Sequence, residues 1–409
     1  MIAEVISIGD ELTSGQRLDT NSQWLSQRLG DLGVTVVYHT TVADDLQANV
    51  RVFRQAVERA DVVVATGGLG PTADDLTRDA LAATSGAELV LHEASLEHIR
   101  GLFARFQRDM PERNKLQAMF PAGSRPIPNR NGTAPGIAMQ LSRPGGGPCR
   151  LFALPGVPSE MQEMFEQTVG PAIACLSDRP RVIRHHRIKC FGVGESHLEQ
   201  MLPDLIRRGR TPSVGITVHA ATITLRITAE GATPEECLAA MQPTMATIRE
   251  ALGTIVFGEE DDELEHAVLR LLDQRNETLA TIEVGTTGLL AHWLAEAAAA
   301  GPGFRGGIVA PGESEFAGGQ DLLSREAAGA MAEDCRKRFG THYGLAIGAF
   351  PVVDPASDPA PFYFALATAN DVTVKSSTLA AHPAIWKARA AKQALNLLRL
   401  LLLHTGEDA

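Results

Sequence analysis

The residues best suited to chemistry lie in one stretch, VVVATGGLGPTADDLTRDA, at residues 62–80. An apolar run there gives way to Gly67, Gly68 and Gly70, and then to two adjacent aspartates ending at Asp75. Glycines after a strand let a ligand approach the backbone, and the N–H groups of a following helix attract anions. Carboxylates beside such a site would repel a phosphate unless a divalent metal lies between them. The stretch therefore predicts a site for a phosphorylated or nucleotide-like ligand and a hard cation.

Similar residues follow the other apolar strands of the first 170 residues. In open α/β sheets, ligands bind at the carboxyl ends of the strands, so we expect these residues to converge on one crevice. Asp44 and Asp75 are the preferred metal-binding or basic pair, although Asp74 or Asp75 alone could simply favour a helix start. The predicted ligand-binding residues at the strand ends are Gly9, Asp10, Glu11, Asn21, Thr66, Gly67, Gly68, Gly70, Thr72, Thr77, Pro155 and Gly156.

Two later stretches add polar candidates. MPERNKLQAMF carries Asn114 and Lys115 in a helical pattern. Lys115 would place a cation near phosphate in an acidic domain, the alternative being an ordinary surface lysine. NRNGTAPGIAMQL offers Asn131, Gly132 and Thr133 just before a strand.

The elements that must position these residues alternate between strands and amphipathic helices. EVISIG, VTVVYHTTV and DVVVATGG are strand patterns, and TNSQWLSQRLGDLG is a helix that Asn21 could cap. The third run is β-branched throughout, as expected of a strand buried on both faces. The βαβαβ order predicts a parallel sheet with helices on both faces, a doubly wound α/β domain.

Two further blocks follow this domain. From about residue 173, the pattern is β-α-β-β-α-β, a small α+β module that includes the helix ESHLEQMLPDLIRR. From residue 261, strands and helices alternate again up to a closing helix. We therefore predict domains at 1–172, 173–260 and 261–409.

Composition excludes several classes of protein. The net charge of -12 argues against a nucleic-acid-binding surface. Five scattered cysteines without a Cys-x-x-Cys pair are typical of a reducing cytosol. No targeting leader precedes the first strand, and no apolar run is long enough to span a membrane. We expect a soluble, cytoplasmic protein without a membrane or nucleic-acid partner.

Several motifs together resemble the CinA (competence/damage-inducible) family: ISIGDELTSGQRLDTNSQWL, TTVADD, ATGGLGPTADDLTRDA, MPERNKLQAMFP, NGTAPG and ALPGVPSEMQEMF. The first domain is then similar to the fold of the MoaB and MogA proteins. The resemblance implies a homodimer whose N-terminal domain hydrolyses ADP-ribose to AMP and ribose 5-phosphate. It also implies a divalent metal (Mg²⁺, Mn²⁺ or Co²⁺), with K⁺ as a further candidate cation. Mapped onto this chain, the metal ligands are Asp44 and Asp75, and Lys115 joins them as a catalytic residue.

The third domain resembles a nicotinamide mononucleotide deamidase that has lost its site. The family shows A-E-S-C-T-G-G with the serine as nucleophile, whereas this chain has Val284 at the serine position. Pro311 stands at a tyrosine position and Phe316 at or near a lysine position. None of these three side chains can attack an amide or move a proton. Thr286 or Thr287 could substitute as nucleophile, but nothing basic is nearby in sequence, so we expect no deamidase activity.

The sequence alone does not decide among three functions. The first is hydrolysis of a nucleoside diphosphate linkage, favoured by the acidic residues, which simple anion binding would disfavour. The second is non-catalytic binding of a nucleotide or pterin. The third is a role in molybdenum cofactor assembly, which depends on fold analogy alone.

Overall fold

The computed structural model describes residues 1–143, 145–176, 181–207, 209–298, 301–310, 321–353, 358–379 and 382–404. The chain divides into two compact units, here called the first unit (Met1–Arg184 with Ala229–Ala239) and the second unit (His185–Thr228 with Ala240–Ala409). None of the helices in the described ranges has both the length and the apolar character that crossing a bilayer requires.

The first unit holds a six-stranded sheet with helices on both of its faces, and a separate two-stranded ribbon. The first unit also contains a 3₁₀ turn at Glu112–Ala118 and a π-helical turn at Phe165–Val169. Its strands are β1 (Ile2–Ile8), β2 (Thr35–Val42), β3 (Val62–Thr66), β4 (Leu89–Leu91), β5 (Met119–Pro121), β6 (Arg125–Ile127), β7 (Gly136–Leu141) and β8 (Cys149–Leu154). Its helices are α1 (Asp10–Thr13), α2 (Thr20–Asp31), α3 (Leu46–Arg59), α4 (Thr77–Ser85), α5 (Glu93–Arg105), α6 (Pro158–Met164) and α7 (Gly170–Ala174).

The sheet has the order β2-β1-β3-β8-β7-β6, and β2, β1, β3 and β8 run parallel to one another. All five residues of β3 are buried, as its β-branched sequence predicts for a central strand. Two separate apolar clusters cover the two faces: α3 packs on one with Phe53, and α2 packs on the other with Leu25. The doubly wound α/β fold is confirmed.

The cap of α2 differs from the prediction. Asp19 is the N-cap residue, and its carboxylate accepts a hydrogen bond from the N–H of Ser22 at 2.9 Å. Asn21 lies inside the first turn, where its side chain points to neighbouring loops. An aspartate two residues earlier takes the cap because its carboxylate reaches the free N–H groups at the helix start.

A four-stranded sheet of order β10-β11-β9-β12 follows. Ile223, Leu225 and Ile227 alternate toward its buried face, as their spacing predicts. The helix predicted over ESHLEQMLPDLIRR ends at Met201, because Pro203 disfavours helical backbone at the residue before it. The elements are β9 (Val182–Cys190), α8 (Glu195–Met201), β10 (Ser213–His219), β11 (Thr222–Gly231), α9 (Pro234–Leu252) and β12 (Val256–Glu259).

The remaining chain forms a five-stranded mixed sheet of order β14-β13-β15-β16-β17. β13 pairs in parallel with β14 and β15, whereas β16 and β17 add an antiparallel hairpin. The elements are α10 (Leu264–Arg275), β13 (Leu279–Glu283), α11 (Leu289–Ala297), β14 (Phe304–Val309), α12 (Arg325–Phe339), β15 (Tyr343–Ile347), β16 (Pro361–Ala367), β17 (Val372–Thr378) and α13 (Trp386–His404).

Candidate functional site

A cleft of about 550 Å³ opens in the first unit where β2, β1, β3 and β8 end side by side. Gly9 and Glu11 follow β1, Asp44 follows β2, and Pro155 and Gly156 follow β8, and all five line the cleft. The loop after β3 completes this wall. Parallel strands bring their carboxyl ends to one edge, so the sequence order alone placed these residues together. The volume is typical of a site for a small ligand.

The glycine loop, residues 67–72, needs its first two glycines for conformation and for space. Gly67 and Gly68 adopt φ angles of 107° and 65°, which residues with a Cβ rarely adopt. A Cβ on Gly67 would overlap the carbonyl oxygen of Ile8. Gly67 donates its N–H to the Leu154 oxygen at 3.0 Å, whereas no protein acceptor in the described residues takes the N–H of Gly68 or Leu69. These two amides are available to an anionic ligand.

Two side chains hold the rest of the glycine loop from opposite sides. The Asp75 carboxylate accepts the N–H of Gly70 at 2.7 Å and that of Thr72 at 2.8 Å, and also the Thr72 hydroxyl. Arg78 donates to the carbonyl oxygens of Leu69 and, at 3.1 Å, of Gly70. Asp75 thus fixes the N–H groups, and Arg78 fixes the carbonyl groups of the same segment.

Arg78 is a functional residue that the sequence analysis missed. It is only 3% exposed. Burial lowers the pKa of Arg78 to about 10, although the charges of Asp75 and Asp79 oppose this. The guanidinium therefore stays charged at neutral pH and puts a buried positive charge behind the loop that faces the ligand. The available signal was its position three residues after Asp75.

The acidic residues form a group at the cleft. Asp44 accepts the N–H of Asp10 at 3.0 Å, and Asp10 accepts the N–H of Asp44 at 3.1 Å. Burial raises the pKa of the Asp44 carboxyl; the hydrogen bond from Asp10 opposes this, while the charges of Asp10, Asp74 and Glu11 raise the pKa further. A carboxylate whose ionised form is disfavoured by its neighbours is one that a bound cation would stabilise.

The donor chemistry of the cleft fits a hard divalent cation. Asp44 and Asp10 each use one oxygen in their mutual hydrogen bonds, which leaves the other for a ligand. Asp75 lines the cleft and uses both oxygens to hold the glycine loop, and its pairing with Asp44 at a metal stays a prediction. No group of three or more His, Cys, Asp or Glu side chains in the described ranges could hold a metal. A cation here would complete its shell with water and substrate oxygens, as Mg²⁺ commonly does.

Lys115, the predicted catalytic cation, does not line the cleft. It lies in the 3₁₀ turn and forms an ion pair with Glu112, three residues earlier. The i, i+3 spacing of the two side chains favours this local contact. Among the described residues that line the cleft, Arg17 carries the only positive side chain. Arg17 follows β1 within the same motif as Gly9, and it was not among the predicted residues.

Of the residues predicted in the other two polar stretches, one lines the cleft and the others form hydrogen bonds to neighbouring side chains. Thr133 lines the cleft, whereas Asn131 donates to Glu163, which is outside it. Gly132 donates its N–H to Asn129 Oδ1 at 2.8 Å. Asn114 is buried, and its amide donates to the cleft residue Gln117 at 2.8 Å. Glu160, the first acidic residue of α6, also lines the cleft and was not predicted.

Several predicted ligand-binding residues instead join the loops to one another. Asn21 donates to Thr66 Oγ1 at 3.2 Å and to the Gly156 oxygen at 2.9 Å. Thr66 donates to the Pro155 oxygen at 2.9 Å. Thr77 is fully buried and donates to the Gly67 oxygen at 2.8 Å. These hydroxyl and amide groups fix the loops after β3 and β8 against each other.

The second unit contains the predicted remnant of a deamidase site. Glu283 is fully buried and accepts hydrogen bonds from Thr286 Oγ1 at 2.5 Å and from the first-turn N–H groups of α11 at Leu290 and Ala291. The helix start is therefore closed by a carboxylate of the protein itself. Val284 is buried, and a Cβ on the next residue, Gly285, would overlap the Phe350 ring. Pro311 and Phe316 lie outside the described residues.

Thr287 has a basic neighbour that its sequence surroundings do not reveal. Lys387 Nζ donates to Thr287 Oγ1 at 2.7 Å from 100 residues further along the chain. Thr287 has a φ of 53°, which is unusual for a β-branched residue. The fold thus brings a lysine nitrogen to a hydroxyl for which the sequence analysis found no basic neighbour.

We expect Asp75→Asn to weaken nucleotide binding about tenfold, which corresponds to about 1.4 kcal/mol. The amide keeps one oxygen for Gly70 or Thr72, but its NH₂ group then faces an N–H donor instead of accepting from it. Calorimetric titration with ADP-ribose measures this change. Asp79→Asn is the matched control, since Asp79 lies on α4 beyond the loop-holding pair and does not line the cleft. Equal affinity in the two variants would contradict the assigned role of Asp75.

Three family models match the chain in succession. The one described as "Probable molybdopterin binding domain" matches residues 4–174. The model of the damage-inducible protein CinA KH domain matches residues 185–258, and that of the CinA C-terminal domain matches residues 261–402.

Two relatives match most of this chain, and two solved structures match part of it. A CinA-like protein of Frankia casuarinae is 36% identical over 98% of this chain and 96% of its own. A CinA-like protein of Dictyoglomus turgidum is 37% identical over 84% of this chain and 85% of its own. The crystal structure of CinA from Thermoplasma acidophilum, reported with unknown function, is 34% identical, with a TM-score of 0.38 over 42% of this chain and 97% of that chain. The tungsten cofactor synthesizing protein MoaB of Pyrococcus furiosus is 20% identical, with a TM-score of 0.30 over 43% of this chain and 94% of that chain.

Proposed function

Because this chain belongs to the CinA family, we propose that the cleft of its N-terminal domain hydrolyses a nucleoside diphosphate linkage, with ADP-ribose as the substrate. Water would add to one phosphorus and the bond from that phosphorus to the bridging oxygen would break, which gives AMP and ribose 5-phosphate. The observation that carries the proposal is one cleft that combines unpaired loop amides with a group of carboxylates.

The glycine loop supplies what a diphosphate needs for binding. The N–H groups of Gly68 and Leu69 would donate to phosphate oxygens, and the buried guanidinium of Arg78 adds a fixed positive charge behind them. Arg17, which also lines the cleft, would contact the second phosphate. Donors that are already held in place need no rearrangement as negative charge develops on the phosphate oxygens.

The carboxylates support a metal-dependent reaction rather than simple anion binding. Asp44 and Asp10 would hold a divalent cation, which when bound polarises the diphosphate and lowers the pKa of a coordinated water. Glu11 and Asp74 lie near enough to Asp44 to raise its pKa, so they add to the negative potential that attracts the cation. Without a cation, the same four carboxylates would repel the substrate.

For the third domain we propose that no deamidation takes place. Val284 has no atom that can attack an amide, and Phe350 occupies the space beside Gly285. Glu283 takes the N–H groups at the start of α11 that could otherwise stabilise an anion. Thr287 Oγ1 lies 2.7 Å from Lys387 Nζ, and incubation with nicotinamide mononucleotide tests whether this pair is active.

A second candidate function follows from the description of the N-terminal family model, which names molybdopterin. The same cleft could hold a pterin phosphate without cutting it, either as a sensor or in molybdenum cofactor assembly. This function requires no cation and would leave a fluorescent pterin on the purified protein.

A product assay tests the proposal. The full chain is incubated with ADP-ribose and, separately, with nicotinamide mononucleotide, each with Mg²⁺, Mn²⁺, Co²⁺ or EDTA, with and without K⁺. We expect AMP and ribose 5-phosphate from ADP-ribose in the presence of a divalent metal, none with EDTA, and unchanged nicotinamide mononucleotide. Intact ADP-ribose under every metal, with a pterin bound to the purified protein, would favour the second candidate. Deamidation would contradict the assignment of Val284.

A further inference from the structure

One carboxylate of the cleft, Glu160, comes from a different part of the wall than the acidic group around Asp44. Glu160 is in the first turn of α6, which follows β8, whereas Asp44 follows β2. In the order β2-β1-β3-β8, the ends of these two strands are three strand spacings apart, about 14 Å. The glycine loop follows β3, which lies between them. Glu160 therefore belongs to the side of the glycine loop opposite to the proposed cation.

A buried asparagine holds the Glu160 carboxylate in place. Asn129 is 2% exposed, and its amide nitrogen donates to Glu160 Oε2 at 2.6 Å and to the Ala134 oxygen at 3.0 Å. Asn129 Oδ1 accepts the N–H of Asn131 at 3.2 Å and that of Gly132 at 2.8 Å. These four hydrogen bonds use every donor and acceptor position of the side-chain amide, so its orientation is fixed. One oxygen of Glu160 is thus always taken by a protein donor.

The other oxygen of Glu160 and a neighbouring hydroxyl are available to a ligand. A Cβ on Gly132 would overlap both oxygens of Glu160, so the carboxylate lies against the backbone of the residue before Thr133. Within the part of the chain that the structure describes, Glu160 Oε1 and Thr133 Oγ1 form no hydrogen bond. Both residues are half-buried and line the cleft. This part of the wall therefore offers a carboxylate oxygen and a hydroxyl.

These two groups fit the hydroxyls of a sugar better than a phosphate or a nucleobase. A free carboxylate oxygen accepts hydrogen bonds and repels phosphate oxygens. The hydroxyl of Thr133 both donates and accepts, so two adjacent hydroxyl groups of a sugar can use Glu160 and Thr133 together. None of the described residues that line the cleft is aromatic, so its wall offers no ring on which a base could stack. A sugar joined to a phosphate uses these two groups and the amides of the glycine loop.

We propose that Glu160 and Thr133 form the sugar subsite of the cleft and select a phosphorylated sugar with adjacent hydroxyl groups. The identity of that sugar, the ribose 5-phosphate half of the substrate, rests on the proposed function. The hydroxyl at C2 is farther from the phosphate than the hydroxyl at C3. The negatively charged Glu160 therefore accepts from C2, where repulsion of the phosphate is weaker, and the neutral Thr133 contacts C3. The phosphate meets the N–H groups of the glycine loop.

Calorimetric titration of the full chain with ribose 5-phosphate and with 2-deoxyribose 5-phosphate tests this subsite. The two ligands carry the same phosphate, so the ratio of their affinities measures the contact to the hydroxyl at C2. We expect the parent chain to bind ribose 5-phosphate roughly tenfold more tightly, because the deoxy sugar loses a hydrogen bond to a carboxylate. Equal affinities for the two sugars in the parent chain, or binding of neither, would overturn the proposal.

Glu160→Gln is expected to lower this ratio to about threefold or less. The glutamine must keep its oxygen toward the Asn129 donor, so its NH₂ group faces the cleft in place of the free carboxylate oxygen. A neutral hydrogen bond contributes less than one to a carboxylate. The matched control is Glu163→Gln, on the same helix, since Glu163 accepts from Asn131 and Gln167 and does not line the cleft. This control should keep the tenfold ratio, and equal ratios in the two variants would overturn the role of Glu160.

Thr133→Val tests the second group without a change of charge. The hydroxyl has no hydrogen-bond partner among the described residues, so we expect the fold to be kept and the affinity for ribose 5-phosphate to fall about threefold. An unchanged affinity would contradict the role of Thr133. None of these titrations requires hydrolysis. A chain that binds ribose 5-phosphate through Glu160 but releases no AMP from ADP-ribose would support the subsite and contradict the proposed function.

Discussion

Asp44→Asn is expected to reduce the release of AMP from ADP-ribose by about 100-fold or more, with the fold intact. Whether Asp44 holds a cation or accepts a proton, its negative charge at the cleft is lost, and groups in either role contribute effects of this size. Asparagine keeps an oxygen that can accept the N–H of Asp10, so the backbone contact between the two loops persists. Initial rates of AMP formation across a range of metal concentrations measure the effect.

The same substitution should not destabilise the protein when no divalent metal is present. Burial and the neighbouring carboxylates raise the pKa of the Asp44 carboxyl, so the ionised form is less favourable in the folded chain than in the unfolded chain. Above the raised pKa this difference lowers the stability of the fold, and a neutral asparagine removes it. The melting temperature of Asp44→Asn in EDTA should therefore equal or exceed that of the parent chain.

Asp45→Asn is the matched control for both measurements. Asp45 is the next residue and undergoes the same change of charge, but its carboxylate caps α3 by accepting the N–H of Ala48 at 2.7 Å. Asparagine caps helices as well as aspartate does, so the helix start is retained. If Asp45→Asn lost as much activity as Asp44→Asn, the general acidity of this segment, and not Asp44 itself, would support the reaction.

Gly67→Ala is expected to destabilise the first unit by about 3 kcal/mol and to abolish measurable binding of ADP-ribose. The alanine would have to adopt a φ near 107°. Its Cβ would also overlap the carbonyl oxygen of Ile8 on the neighbouring strand. Relief of this overlap requires the loop backbone to move, and the N–H groups of Gly68 and Leu69 would move with it. Thermal unfolding and calorimetric titration together measure both effects.

Gly86→Ala separates the conformational cost from the steric one. Gly86 ends α4 with a φ of 68°, and among the described residues other than its two chain neighbours no atom lies within 4 Å of the position that its Cβ would take. This variant should lose only about 1 kcal/mol and should bind ADP-ribose normally. If Gly67→Ala behaved like Gly86→Ala, the close contact between the glycine loop and β1 would not govern the site.

The two units carry different polar features. The first unit has the cleft with its loop amides and carboxylates, whereas the second unit has a helix start that is closed by the carboxylate of Glu283.

The amino-acid sequence determined the fold class and the location of the cleft. The β-branched run of β3 and the helical periodicity of α3 are local signals that predict one buried strand and one amphipathic helix. Parallel strands joined by helices necessarily align their carboxyl ends, so Gly9, Asp44 and Gly67 had to meet at one edge.

Only the tertiary structure decided which polar side chains point into that cleft and which ones hold its walls. Lys115 turns to Glu112, Asp75 and Arg78 hold the glycine loop, and Arg17 supplies the positive charge that Lys115 was predicted to supply. The contact between Thr287 and Lys387 joins residues 100 positions apart. Such contacts depend on side-chain directions and on packing between distant segments. The periodicity of a sequence records which face of an element is buried, but it does not record which partner a polar group meets there.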